Sequence, residues 1–434
     1  MKKTFGLIVL LFTLFSLVSA GASGTQDSAD GSGEKQEINN EITVIFPQHE
    51  ADKIGAYPAL VKEFTKETGI KVNLIQLGWD EVADKVLPEL ASGGSAYDVV
   101  EFDNGWVAKW TNAGWVEPLD NYMPVGYEAE MIPGLVDLFS GSDDKLYGVV
   151  WNNDTRFFYY NKSILDEAGI AAPPTTWDEL IEQSKMMQDR GLIKYGLAPF
   201  WKAEWALANE FHFWTYTYGG RIVDGDGNFL WNKDSKTLAA VNGMKRLLDE
   251  GVADPASLTY DQETSMNLFL KGETAFMPQG LSGLLTYADN PEISSVVGEI
   301  AVSTVPGASA DLSAALTLPE AYAIPKASKN KENAWKFIEF MTSKESNKKL
   351  SNQIGTLPIW VDVFSDSDLL EKYPHWLQFQ QQLVSVQGLS TLSWYDDFAD
   401  KCITEIQTSL SGRQSAEEAL AKMADLLKEF DGVK

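Results

Sequence analysis

The sequence predicts an α/β protein built as two lobes, on three observations. β-rich runs alternate with helix-patterned segments from residue 41 onward, the signature of α/β architecture. The chain has 434 residues, more than one hydrophobic core ordinarily serves. Its apolar and charged fractions, 44% and 22%, are ordinary for a soluble globular protein.

The first 22 residues stand outside that pattern. "MKK" is a positive start, "FGLIVLLFTLFSLV" is apolar, and Ala20-Gly21-Ala22 is a small-residue cleavage site. Together they form a secretory signal, and the apolar stretch is too short and wrongly flanked to span a membrane. Cleavage after Ala22 leaves 412 of the 434 residues. Export predicts an oxidising compartment, but Cys402 is the sole cysteine, so no intramolecular disulfide forms. No cysteine lies near the cleavage point to take a lipid. A freely soluble protein of the periplasm is expected. Residues 23–40, "SGTQDSADGSGEKQEINN", lack apolar content and read as a disordered tether.

Order begins with "EITVIF", residues 41–46, a strand. Tyr57, Leu60, Val61 and Phe64 share a helical face that Gly69 ends. "KVNLIQL" is a strand, "DEVADKVLPELASG" a helix and "YDVVEF" a third strand. "GVVWN" and "TRFFYYN" are strands, and "SILDEAG" is a short helix stopped at Gly169. The helix in "PPTTWDELIEQSKMMQDRG" opens on Thr175 or Thr176, with Glu179 completing a capping box. "IKYGLAP" is expected to resume a strand. In "LKGETAFMPQGLSG", Met266, Phe269 and Leu270 anchor the preceding helix, Gly272 ends it, "TAFM" is a buried strand and the rest a turn. "SAEEALAKMADLLKEF" is an amphipathic helix with Ser415 as N-cap and Glu418 at its third position. There is no internal repeat.

The net charge is −27, and loss of Lys2 and Lys3 with the leader takes it to −29. Nucleic acid is excluded as a partner, because phosphate binding needs a basic face. The acidity itself speaks for solubility.

Ligands of open α/β sheets bind beyond the carboxyl ends of strands, so the strand-end loops are the candidate site. They pair aromatic rings with short polar side chains: Gln48 and His49 after the first strand, and Trp79 after the second. Phe102, Asp103, Asn104 and Trp106 follow the third, and Asp154 and Arg156 follow Trp151. Trp201, the turn residues Gln279, Gly280 and Ser282, and the pair Trp394 and Tyr395 complete the set. A sugar asks for this combination. Its hydroxyls donate and accept, and its C–H face lies on an aromatic ring. Taken singly, each tryptophan is equally a core or lid residue.

Other chemistries lack their residues. His49, His212 and His375 show no zinc spacing and read as surface or loop histidines. "DGDGNF", residues 224–229, misses the Gly and Glu of a calcium loop and reads as a hairpin turn. No G-x-S-x-G, G-x-G-x-x-G or P-loop occurs. With 62 acidic residues, carboxylate pairs alone do not make a glycosidase. No metal, cofactor or catalytic residue is expected.

"YGVVWNNDTRFFYYNKSILDEAGIAAPPTTWDEL" resembles the central crossover of the bacterial extracellular solute-binding proteins, family 1, the sugar-binding components of ABC importers and relatives of maltose-binding protein. "GETAFMPQG", "AYAIPKASKNKENAWKFIEFMTS", "GTLP" at 355–358 and "SGRQSAEEAL" at 411–420 match in order, so the resemblance covers residues 41–434. It implies a two-lobed periplasmic-binding-protein fold, the lobes joined by three crossovers with the ligand between them. One lobe would hold 41–152 and 303–344, the other 153–302 and 345–434. It also implies ligand contacts at Phe102, Asp103, Asn104, Trp106 and Asp154. Two positions depart from the pattern. Ser282 stands where such proteins usually place a tryptophan, and Glu320 lies where glycines are common; Glu320 is either a ligand contact or a strand start. The expected function is a monomeric periplasmic binder that delivers a mono- or oligosaccharide to ABC permease membrane subunits. The alternatives are a secreted carbohydrate-active hydrolase, or the same fold holding a peptide, polyamine or anion.

Overall fold

The computed structural model describes residues 40–49, 52, 54–224 and 228–430. The signal segment and the tether through Asn39 lie outside the described residues. Along the chain the strands are β1 (Glu41–Pro47), β2 (Lys71–Leu77), β3 (Val99–Asp103), β4 (Val149–Asn152), β5 (Phe157–Asn161), β6 (Phe276–Gly280), β7 (Ile300–Ser303), β8 (Ala315–Leu316), β9 (Glu320–Ala323) and β10 (Val386–Gln387).

Five of them form one sheet in the order β2-β1-β3-β9-β4. β1 runs parallel to β2 and β3, and β9 runs antiparallel to β3 and β4. β1 is buried on both faces, as a covered parallel strand must be, and its apolar run "VIF" supplies that burial. The helix Ala56–Thr68 covers the sheet with Tyr57, Leu60, Val61 and Phe64, and Gly69 closes it in the left-handed region at φ 74°. The Asp52 carboxylate accepts the amides of Ala56 and Tyr57 at 2.6 and 2.9 Å, which satisfies two donors at the helix start.

A second sheet has the order β6-β5-β7, all antiparallel, and β10 pairs with β8 beside it. Alternation along β5 assigns its faces. Phe157 and Tyr159 join the core that begins on the five-stranded sheet and continues through Trp360, Trp376 and Phe379. Phe158 faces a second core with Trp177, Trp201, Phe211, Trp214, Trp231 and Phe398.

The chain passes between the sheets twice in close company. Residues 153–156 leave β4 for β5, and residues 317–319 leave β8 for β9. Arg156 donates its amide to the Leu316 carbonyl at 2.9 Å, and Leu318 donates to that of Asp154 at 2.8 Å. The Thr155 and Thr317 hydroxyls meet at 3.0 Å. Asn153 ties this ribbon to the loop carrying "GTLP" by donating to the Pro358 carbonyl at 3.2 Å.

Four local expectations need correction. "IKYGLAP" forms no strand. The Gly196 carbonyl accepts from both Ala275 and Phe276, and Leu197 makes only an isolated bridge to Ala253, so no ladder propagates. The strand in "TAFMPQG" runs later than expected, over β6, so Gln279 and Gly280 are strand residues. The capping box of Ser415 and Glu418 is present, but its helix stops at Met423 and a short turn resumes at Leu426. His212 is fully buried inside the helix Trp205–Thr217, bonded to the Ala208 carbonyl and the Ser390 hydroxyl. Burial pushes its imidazole down to about 4, so it is a neutral core residue. The turn of "DGDGNF" lies outside the described residues, while its flanks Val223 and Phe229 pair antiparallel.

Candidate functional site

The site begins with strand register. Asp103, the last residue of β3, is opposite Glu320, the first of β9, and Glu320 is opposite Asn152, the last of β4. Three polar residues distant in sequence thus stand in a row at one sheet edge, on one face. The Asn152 amide donates to Glu320 at 2.7 Å, and its carbonyl oxygen lies 3.2 Å from the His49 ring. Glu320 is therefore the strand start, and it also lines the cavity.

The crossover after β4 supplies the next residues by alternation. Asn153 and Thr155 are buried in the ribbon, and Asp154 and Arg156 line the cleft. Arg156 is only 7% exposed. Its Nη2 is ion-paired with Asp154, and its Nε and Nη1 have no protein partner.

The opposite wall is the start of the helix Trp205–Thr217. Lys202 and Glu204 pair at 2.8 Å just before it. Asn209 lies one turn beyond Trp205 on the same helix face, and its Oδ1 has no partner. Asp261, Gln262 and Glu263, at the start of the helix Gln262–Leu270, also line the cavity, as do Leu318 and Leu389. The cavity is open to solvent and measures about 480 Å³.

Aromatic rings span the cleft. Trp79 packs on the first core and Trp205 on the second, with ring centroids 6.0 Å apart and planes at 38°. Trp106 lies behind Trp79 at 5.3 Å and stacks on Trp110 at 4.9 Å; Tyr395 lies behind Trp205 at 5.5 Å. The Lys109–Asp396 ion pair joins the same two walls.

The floor is electrostatically tense. Burial pushes the Asp103 carboxyl up to about 7; the Gly105 amide, donating at 2.7 Å, opposes the rise, and the charges of Asp154 and Asp396 add to it. Glu101, beneath it, is pushed well above the usual carboxylate range by complete burial and by Glu320 and Asp103. Behind the far wall, Glu210 is also pushed up to about 7 by burial. It accepts from the Trp201 and Trp214 indoles, each at 2.9 Å, and from Gln279.

Of the residues named from the sequence, Trp79, Asp103, Asp154, Arg156 and Glu320 line the main cavity. His49 and Ser282 line a small recess that shares Asn152 and Asp154 with it. The others lie elsewhere. Gln48 is exposed and extends the β1–β2 ladder to Leu77. Phe102 and Trp106 are packed against Trp110, and Asn104 is buried beside Gly388. Trp201 and Gln279 hold Glu210. Gly280 lies under the Tyr159 ring, where a Cβ would come within 2.4 Å. Trp394 stacks on Phe430 at 4.7 Å, and Tyr395 is buried beneath Trp205. Trp205, Asn152, Asn209, Lys202 and Glu204 complete the wall without having been named as site residues. The i, i+4 spacing of Trp205 and Asn209 was a usable signal.

Residues 50–348 match the sequence profile of the family described as bacterial extracellular solute-binding protein. A putative binding protein of Brucella abortus (strain 2308) is 27% identical over 327 residues, which cover 74% of this chain and 76% of that one. The erythritol/L-threitol-binding protein of Mycolicibacterium smegmatis is 24% identical, covering 80% of this chain and 78% of that one. Among solved structures, maltose-bound MalE3 of T. maritima superposes with a TM-score of 0.82 at 23% identity, over 90% of this chain and 99% of that one. That likeness establishes the two-lobed fold.

Proposed function

Because the chain belongs to the bacterial extracellular solute-binding proteins, we propose that it is the periplasmic binding component of an ABC importer. It takes a mono- or oligosaccharide between its lobes and presents it, as a monomer, to a membrane permease. One observation carries this reading. Arg156 and Asn209, which line the cavity together with Trp79 and Trp205, keep buried polar atoms without a protein partner: Nε and Nη1 of Arg156 as donors and Oδ1 of Asn209 as an acceptor. Buried polar groups left unmade cost roughly 1–3 kcal/mol each. A polyol satisfies both kinds, since each hydroxyl donates and accepts, and its C–H face suits the rings. Relatives described as binding erythritol or L-threitol, and arabinooligosaccharide, point to the same class.

The ligand would touch both walls at once, and contacts made to both favour the closed arrangement by population shift. A micromolar site needs about −8 kcal/mol, within reach of a few buried hydrogen bonds and one or two stacked rings. Nothing in this scheme calls for a nucleophile, because a carrier releases its solute unchanged.

Thermal shift and calorimetry across sugars and polyols test the reading. At a ligand concentration a hundredfold above Kd, the stabilisation is about 2.7 kcal/mol. Trp205→Ala should weaken binding tenfold or more while the free protein keeps a single cooperative unfolding transition, lowered by the lost packing on Tyr395 and Trp79. A panel in which only amino acids, peptides or polyamines raise Tm would move the chain to another ligand class.

A further inference from the structure

Beyond the cavity the two walls meet directly, and one side chain at that meeting is left unfinished. Asn104 follows β3, between Phe102 and Trp106 of the first core. Facing it is the segment from β10 to the helix Tyr395–Leu410, anchored in the second core by Leu389, Leu392 and Tyr395. Gly388 lies so close that a Cβ there would come within 2.8 Å of the Leu138 side chain and 3.5 Å of the Asn104 amide nitrogen. Any side chain at Gly388 would have to push Leu138 aside or part the walls. A few residues on, the Tyr395 ring packs on Gly105, 3.4 Å from where its Cβ would stand.

Five asparagines are buried among the described residues. The side chains of Asn152, Asn153, Asn161 and Asn347 each make at least one hydrogen bond. Asn104, 4% exposed, makes none: its amide nitrogen and its oxygen both lack a protein partner. On the other side of the same contact, the buried Tyr395 hydroxyl also lacks one. Asn104 does not line the cavity, so a solute held there does not complete it. A buried amide without partners is costly, and the same amide in water is not. Gly388 covers Asn104 from the second lobe, so parting the lobes returns the amide to water.

We propose that Asn104 is a brake on closure. Its amide is hydrated while the lobes stand apart and stripped of partners when they meet. It therefore favours the open state and lowers the apparent affinity for whatever solute the closed cleft holds. Asn104 acts through the equilibrium between the two arrangements and does not touch the solute. The brake needs the closing of the lobes proposed above, but not that the solute be a saccharide.

Distances between two spin labels read the closing directly. Asn112 and Asp400 are exposed, each one turn beyond a member of the Lys109–Asp396 pair that joins the walls. Asn112→Cys and Asp400→Cys take the labels, while the buried Cys402 does not. In the free protein, Asn104→Leu should raise the ratio of short to long distances by about fivefold or more. Asn104→Asp, nearly the same shape but charged, should lower it. Gly388→Val, set against Leu138, supplies the long distance for calibration. Calorimetry with maltose, erythritol, arabinobiose, putrescine and glutamine carries the effect to binding. Any of them that the wild type takes should bind Asn104→Leu about fivefold or more tightly, whereas damage to the fold does not tighten binding. Should Asn104→Leu misfold, Asn104→Ala must shift both readouts in the same direction. Two populations in the wild type that neither Asn104 variant changes overturn the brake and leave closing intact. Weaker binding by Asn104→Leu also overturns it, and makes Asn104 a contact for the solute. A single short distance in every variant, Gly388→Val included, overturns the brake and the proposed closing together.

Discussion

Asp103 and Glu210 sit on opposite sides of the cleft, and burial pushes both carboxyls up to about 7. Their surroundings differ in completeness. Glu210 accepts from Trp201, Trp214 and Gln279, so three buried N–H groups depend on it. Asp103 accepts from one backbone amide, that of Gly105, and otherwise faces acids. The first borders only a void of about 20 Å³, and the second opens onto a cavity of about 480 Å³. A raised pKa alone therefore does not mark a binding residue; unfinished hydrogen bonding beside a cavity does.

The largest effect should come from deleting the finished carboxylate. Glu210→Ala strands two indole N–H groups and an amide in a buried place, which should cost about 3 kcal/mol or more in urea unfolding. Asp103→Ala removes one accepted hydrogen bond together with an unfavourable buried charge, and should stay within about 1 kcal/mol. Its loss appears in ligand binding instead, by tenfold or more. Equal destabilisation by the two substitutions would abolish the distinction drawn between them.

The pH dependence sharpens the same contrast. Burial raises the folded-state value of Glu210 above the ordinary carboxylate range, so between about 4.5 and 7 the unfolded chain ionises while the folded one keeps its proton. Stability contributed by this group is present below that window and lost as pH rises through it, by about 3 kcal/mol in all. Glu210→Gln removes the titration, and a flip of the Gln279 amide lets both side chains bond. The difference in unfolding free energy between wild type and Glu210→Gln should therefore shrink toward or below zero as pH rises from 4.5 to 7. A difference that is flat over this range would show that Glu210 is ionised throughout.

The strand ends were legible in the sequence, because short β-branched and aromatic runs bounded by Gly, Asp and Asn announce where a sheet edge falls. That is why the strand-end reading includes Asp103, Asp154 and Arg156, which line the cavity. Register was not legible. Nothing local to Glu320 says that β9 enters antiparallel between β3 and β4, and only that insertion brings Glu320, Asp103 and Asn152 together. Aromatic residues next to acids misled for a related reason. Trp201 and Trp205 are four residues apart and equally polar in their neighbours, yet one indole turns inward to Glu210 and the other toward Trp79. The Gln279–Gly280 pair looked like an exposed turn because Pro278 and glycine suggest one. β5 holds it as strand, with Tyr159 over the glycine.

The smallest expected effect concerns the Lys109–Asp396 pair, where the two walls meet by charge rather than by ring. Lys109 lies on the helix Val107–Asn112 over the first core, and Asp396 on the helix Tyr395–Leu410 over the second. Their side chains remain 36% and 32% exposed, so water and salt screen the attraction and hold it below about 1 kcal/mol. If the pair helps only when the walls are together, Lys109→Ala should weaken ligand binding by threefold or less and leave unfolding of the free protein unchanged. High salt should erase the difference from wild type. The same substitution also leaves Asp396 unneutralised next to Asp103, whose carboxyl that charge already pushes upward. A loss much above threefold would therefore mean that the pair acts on the cleft floor through Asp103, and measuring Lys109→Ala in an Asp103→Asn background separates the two routes.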